Sequence, residues 1–364
     1  MGEELAKPIL NKKPIDGKTK LFRYGINEVQ GWKKTMEVYN TKDNFLGPEK
    51  NINVFGLFEG HAGKEIAKYL SLEFTKQLLK NNNFIKGDYK QALLETFINI
   101  DASLKTESVN NKLLNYSKQN KNELRKKIND IYQKIDNKNK LNDKEINEIN
   151  TFMDIIDPNN LEGVFISDYV GSSGIVILIN DKITYIAKAG NSHCIAINKN
   201  LSIIKDKNIF IESKYNNNEN KRIKIAKAIQ YGKEKDKNYD KNEYLYTRGF
   251  GDFQYKSNNL IKLEEQEISP KPDIYEIPNE EIKFLIICNS GFFQNDININ
   301  NNIKNNTIEK NIADYFIKKL QNNQKIISGI IGDYLDECIS NKNNNNQDYN
   351  KNNLSCIIID FFNN

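Results

Sequence analysis

The sequence predicts buried strands and amphipathic helices, a mixture compatible with an α+β fold, and two kinds of segment carry the prediction. The first is a set of apolar runs that break abruptly, such as Val54 to Phe58, Ile175 to Ile179 and Ile282 to Cys288. Runs of this length bounded by polar or turn residues read as buried strands. The second is amphipathic helical spacing: Ile66, Leu70, Phe74 and Leu78 in one segment, then Tyr89, Leu93, Phe97, Ile100 and Leu104 in the next. Strands and helices that each bury one face pack as layers. These patterns leave the layer architecture itself open.

Bulk properties narrow the function classes. The 364 residues suffice for a full core, as one large domain or two ordinary ones. The net charge of +5 comes from dispersed lysines without a dense basic stripe, so no nucleic-acid partner is expected. Asparagine runs such as Asn343 to Asn346 read as solvated loop. Cys194, Cys288, Cys338 and Cys356 sit apart in apolar segments without metal-binding spacing, which suits buried, reduced thiols. There is no secretory apolar region and no run long enough to span a bilayer. Met1-Gly2 is followed by Ala6 where an acylation signal has Ser or Thr. The expectation is a cytoplasmic protein.

The chain then presents a series of landmarks. Leu21 to Trp32 and Thr35 to Tyr39 read as a pair of early strands around Gly31. The strand Val54 to Phe58 breaks at Glu59-Gly60-His61-Ala62-Gly63, and a helical pattern begins at once. Ser108 to Phe165 carries Leu124, Ile128, Ile131 and Ile135, then Ile146, Ile149, Met153 and Ile156, at coiled-coil-like spacing. That spacing predicts a helical hairpin, either packed on its own body or docking a partner protein. Asp168-Tyr169-Val170-Gly171-Ser172-Ser173-Gly174 leads into a strand. A hairpin is expected from Lys182 to Ile197 around Gly190-Asn191-Ser192. Residues 205–242 are polar and low in complexity. Helical segments are expected near Ile308 to Leu320 and Ile326 to Ile339, before a last strand at Leu354 to Ile359.

Several landmarks, in this order, resemble the signatures of the metal-dependent type-2C serine/threonine protein phosphatases, the PPM family. Gln30-Gly31-Trp32-Lys33-Lys34-Thr35-Met36-Glu37-Val38 resembles QGWRxxMED. Val54 to Gly63 resembles VFDGHGG, and Asp168 to Gly174 resembles DxxGSTA. Tyr246 to Asp252 resembles VSRAFGD, Asn289 to Phe293 resembles SDGLWD, and Asn352 to Ile359 resembles DNxTVVVV. The resemblance covers about residues 21–361, leaving 1–20 as an N-terminal extension, 108–165 as an insertion and 205–242 as a flap-like segment. It implies a four-layer α-β-β-α sandwich of two antiparallel sheets, with a metal site at one end between them.

The resemblance also implies site residues, and here the chain departs from the pattern. Lys33 stands for a phosphate-binding arginine; as a point charge it lacks the planar bidentate fork. Glu59 stands for a metal-bridging aspartate and Gly60 for the glycine whose carbonyl joins the metal. His61 matches the proposed general acid, and Glu37 and Asp168 match peripheral metal positions. The ligand positions at Val38, Ser290 and Asn352 have lost their carboxylates. Two dications ~4 Å apart repel by about 16 kcal/mol at an effective dielectric of 20, which clustered carboxylates must offset. One carboxylate, Glu59, remains at the four positions Val38, Glu59, Ser290 and Asn352. Its extra methylene also exceeds the roughly 0.5 Å such sites tolerate. The expectation is therefore a pseudophosphatase without cofactor, serving as a binding or scaffold module. Its partner would be a protein, such as a kinase or phosphatase assembly, met by the insertion or the degenerate cleft. The alternative is a divergent active enzyme using Mn²⁺ or Mg²⁺ in a rearranged site.

Overall fold

The computed structural model describes residues 4–117, 165–204, 217–231, 247–293, 308–322, 326–340 and 351–362. Their architecture is two antiparallel sheets packed face to face, with helices on both outer faces.

The first sheet runs β1 (Glu4–Lys12), β3 (Phe22–Lys33), β12 (Leu354–Phe361), β11 (Ile282–Cys288) and β8 (His193–Asn198), with β2 (Ile15–Lys18) also paired to β3. The second runs β10 (Asp273–Pro278), β7 (Ile183–Ala189), β6 (Gly171–Ile179), β5 (Ile52–His61) and β4 (Val38–Leu46), with β9 (Phe250–Gly251) on β6. Between the sheets lies a core of Phe22, Ile26, Leu285 and Ile357 from one side and Phe55, Leu57, Ile175 and Ile177 from the other. Alternate residues of the same strands face outward, because strand side chains alternate with period two. Thus Val54, Phe58, Val176 and Leu178 meet α1 (Glu65–Lys80), α3 (Tyr89–Ser103) and α4 (Glu107–Ser117). A short helix, α2 (Asn82–Ile85), precedes α3, whose first turn is capped by Asp88 accepting from the Gln91 N–H.

On the opposite face, Phe284, Ile286 and Ile358 meet α6 (Ile308–Asn322) and α7 (Ile327–Ser340). The start of α7 lies so close to β3 that a Cβ on Gly25 would sit 2.5 Å from the Ser328 nitrogen. Only glycine permits that approach. The four cysteines are free and buried, and burial raises their thiols, Cys194 to about 12.

Several expectations change. Residues 4–18, set apart from sequence as an extension, supply two strands to the first sheet. The two early strands do not pair: β3 and β4 belong to different sheets, and the chain crosses between them over residues 34–37. The same correction applies to Lys182 to Ile197. β7 pairs with β6 and β10, whereas β8 pairs with β11, so the Gly190 to Ser192 turn is an arch between sheets. The helical-hairpin expectation falls at residues 118–164, outside the described residues; 107–117 form α4. Of the flap-like segment, the described part is α5 (Asn217–Tyr231). Among the described residues no helix is long and apolar enough to cross a membrane.

Candidate functional site

Strand parity places the cleft. On β5, Phe55 and Leu57 face between the sheets, so Glu59 continues that row where the strand ends. On β11 the same row is Leu285 and Ile287, and Asn289 follows it; on β12 it is Ile357 and Ile359, with Ser355 and Asn353 before them. Four groups of polar side chains result.

The first joins the two sheets directly. Glu59 Oε1 accepts from Ser290 Oγ at 2.9 Å and from Asn289 Nδ2 at 3.0 Å, and Oε2 accepts from the Ser290 backbone N–H at 2.9 Å. Asn289 is fully buried and also donates to the Asn353 carbonyl at 2.9 Å, while its Oδ1 accepts from the Ser355 N–H.

The second group lies on the crossing segment. Lys33 Nζ donates to Glu37 Oε2 at 3.0 Å, and Thr35 Oγ1 to Glu37 Oε1 at 3.1 Å. Buried Asn353 accepts from the Glu37 N–H and donates to the Gln30 and Thr35 carbonyls. The Gly60 N–H donates to the Glu37 carbonyl at 2.8 Å, and Val38 pairs with Glu59 across β4 and β5. Lys33, Glu37, Val38, Glu59 and Gly60 are therefore brought together. The inward asparagine of the Asn352-Asn353 turn is Asn353; Asn352 sets its carbonyl against Gly31, 3.1 Å from where a Cβ would stand.

The third group holds His61. Its Nε2 lies 2.8 Å from Asp252 Oδ2, with the carboxylate buried and the imidazole partly exposed. Asp252 sits in the left-handed region at φ 54°. A Cβ on Gly171 would fall 2.2 Å from Asp252 Oδ2 and 2.3 Å from His61 Nε2, so a bare glycine makes room for the pair. Behind Asp252, Asp101 Oδ1 accepts from the Gly251 N–H at 2.7 Å and Lys256 Nζ reaches Asp101 Oδ2 at 2.8 Å, both side chains fully buried. Burial raises the Asp101 carboxyl against the pull of Lys256, and burial lowers the Lys256 ammonium.

The fourth group is Asp168. It pairs with Lys105 at 2.5 Å and accepts from the Phe165 N–H at 3.0 Å, and the ammonium lies 4.4 Å from the Phe165 ring centroid. Asn110 and Leu104 tie the same turn to α3 and α4 through the Ile166 N–H and the Ser167 hydroxyl.

Reasoning from sequence gave no role to Asn289, Asn353, Lys105 or Asp252. Asp252 ends the Tyr246 to Asp252 landmark, which was its one signal. The others are distant in sequence from the residues they meet, 230 positions in the case of Asn289 and Glu59.

A two-metal centre needs carboxylates with free lone pairs converging on one point. Here the Glu59 oxygens are engaged by three protein donors, and Glu37 and Asp168 each hold a lysine. The matching positions on the partner strands offer a valine, a serine and an asparagine. Among the described residues no group of three or more His, Cys, Asp or Glu is arranged to hold a metal ion. As arranged, these residues do not fit a two-metal centre.

Comparison with known proteins places the architecture. A phosphatase of Toxoplasma gondii superposes with a TM-score of 0.60 at 14% identity, covering 97% of this chain and 96% of that one. A serine-threonine phosphatase 2C from the same organism gives 0.54 at 11% identity, covering 97% and 99%. In sequence, "Probable protein phosphatase 2C 4" of Paramecium tetraurelia is 26% identical over 342 residues, 94% of this chain and 92% of its own. "Protein phosphatase 2C 1" of the same organism is 25% identical over 296 residues, 81% and 80% of the two chains. The family described as "Protein phosphatase 2C" matches residues 22–117 and 111–295, most of the chain. With the two-sheet sandwich and the ordered landmarks, this match makes the chain a member of the protein phosphatase 2C family.

Proposed function

We propose that the chain is a catalytically impaired protein phosphatase 2C domain that acts as a binding or scaffold module in cytoplasmic phosphorylation signalling. The observation that supports this reading is the set of three donors from Asn289 and Ser290 on Glu59. Neutral donors take three of the about four lone-pair sites of this carboxylate, so a divalent ion would have to displace them to bind through Oε1. Lys33 is drawn to Glu37, which offsets the charge it would offer a phosphoryl group. On this reading Glu37, Glu59, Gly60, Asp168, Lys33 and His61 are vestiges of a metal and phosphate site, and the cleft uses no cofactor. The partner is a protein, engaged by the 108–165 segment or by the cleft.

A second reading, a divergent active Mn²⁺- or Mg²⁺-dependent phosphatase, draws on one specific observation. His61 keeps an ordered carboxylate partner, Asp252, in an arrangement suited to a general acid. Phosphate release from a phosphopeptide at millimolar Mn²⁺, with calorimetric titration of the metal, separates the two. The first reading expects no release above a protein-free control and no saturable heat. Metal-dependent turnover abolished by Glu59→Ala would establish the second.

A further inference from the structure

The departures at positions 59 and 290 fit each other. Glu59 leaves the second sheet, Asn289 and Ser290 follow β11 of the first, and the carboxylate spans the gap with three bonds of 2.9–3.0 Å. An aspartate at 59 would be shorter by one carbon–carbon bond, about 1.5 Å. Its oxygens would then stand beyond hydrogen-bond range of all three donors. An aspartate at 290 would set one carboxylate against another across the same gap and remove the hydroxyl donor. Each family-like residue, restored alone, is therefore wrong for the other side of this cleft.

We infer that Glu59, Ser290 and Asn289 form a metal-independent clasp between the two sheets, in which the longer acid and the neutral donors compensate for one another. The inference rests on the reading of an impaired centre and adds what took the metal's place. Asn289 makes the clasp rigid, because its amide is shared between Glu59, the Asn353 carbonyl and the Ser355 N–H. Ser355 in turn accepts from Asn40 of β4, a second tie between the sheets at this end.

The test uses the full chain and reads stability, so it is independent of turnover. Thermal melts in EDTA and in 5 mM Mn²⁺ would compare wild type, Glu59→Asp, Ser290→Ala, Ser290→Asp and Glu59→Asp/Ser290→Ala. The clasp predicts that Glu59→Asp, although it restores the family residue, lowers the midpoint by about 4 °C or more in both buffers. Ser290→Ala, which removes one of the three donors, should cost less than Glu59→Asp in the wild-type background and almost nothing in the Glu59→Asp background, because the two act through one bond network. Ser290→Asp should be the least stable variant in EDTA. Amide exchange of the Ser290 N–H gives a second readout, with protection expected to fall at least tenfold in Glu59→Asp. An unchanged midpoint for Glu59→Asp, or additive losses in the double variant, would overturn the clasp even if no phosphate were released. Phosphate release with these stability effects intact would sink the impaired-centre reading and leave the clasp standing.

Discussion

The turn that carries Asp252 is anchored by a buried ion pair, and breaking that pair should be costly. Lys256 and Asp101 side chains are both 0% exposed, with 2.8 Å between Nζ and Oδ2. The ammonium also donates to the Gly249 carbonyl at 2.9 Å, and the carboxylate accepts from the Gly251 N–H at 2.7 Å. Lys256→Met fills much of the same space but leaves the Asp101 charge with the Gly251 N–H as its donor and no cation. Removing one member of such a pair costs about 3–5 kcal/mol, chiefly because the other charge stays buried. That is a large part of a typical stability of about 5–15 kcal/mol. Adding Asp101→Asn removes the stranded charge while its oxygen still accepts from Gly251, so the double variant should be more stable than Lys256→Met alone. The pH dependence has a definite sign. Burial already raises the Asp101 carboxyl, and losing Lys256 raises it further. A carboxyl raised in the folded state favours folding when protonated, so the deficit of Lys256→Met should shrink as the pH falls through that raised value. Urea denaturation across pH 5–8 measures both effects. The chain has two histidines, His61 and His193, so ring-proton NMR reports the turn directly. The His61 signals should move in Lys256→Met through Asp252, and those of His193 should not. A cost below about 1 kcal/mol, or a double variant as unstable as the sum of its parts, would refute this account.

Two further perturbations test other parts of the frame. Glu219 on α5 sits between Arg222 and Arg248, at 2.6 and 2.7 Å; burial works to raise its carboxyl, but both arginines outweigh it and hold the group below 4.5. Its contribution should be complete above pH 4.5 and fade as the pH falls below it, so Glu219→Gln should flatten the acid limb of the stability profile. An acid limb of unchanged slope would show that the cluster contributes nothing to acid lability. On the first sheet, Asp16 of β2 accepts from the Ser328 N–H at 3.0 Å and from its hydroxyl, which caps α7 from outside the helix. Asp16→Ala should cost about 1 kcal/mol by thermal melt. Lys12→Ala breaks only a half-exposed pair with Asp336 and should cost less; equal losses would argue against the cap.

Much of the fold was legible because its signals are local. The four-residue spacing of Ile66, Leu70, Phe74 and Leu78, close to the helical period, gives α1, and the run Ile282 to Cys288 is β11 along its whole length. Sheet membership was not legible. Residues 182–197 carry every local mark of a hairpin, and nothing within them says that Ala189 and His193 belong to opposite sheets. That is decided by what lies beside them, β6 on one side and β11 on the other. The strands of residues 4–18 were missed for a related reason. Ile9, Leu10 and Ile15 remain partly exposed at the sheet edge, so β1 and β2 show no clean alternation of buried and solvated positions.

The site divides along the same line. Comparing positions with a family pattern detects departures, and Val38, Ser290 and Asn352 stand out because the pattern they resemble has a carboxylate at each. It cannot detect what has come in instead, because the replacement partners are fixed by the fold and not by spacing. Asn289 precedes Ser290 by one residue, yet its importance rests on facing Glu59 across the two sheets. Lys105 lies at the end of α3, far in sequence from Asp168, and meets it because Asn110 and Leu104 bring the Phe165 to Asp168 turn back onto the helices. A carboxylate buried near others carries a standing cost that something must offset, whether a metal, an ammonium or a set of N–H and O–H donors. Glu37 has Lys33, Glu59 has Asn289 and Ser290, Asp168 has Lys105 and Asp252 has His61. Each of the four acids thus has a donor within the same chain. Loss of ligands alone would leave unpaired acids beside an apolar core, and such a chain would be poorly stable. On the impaired-centre reading the fold needs the matching donors as well, and their presence at all four acids fits a cleft stable in its own right.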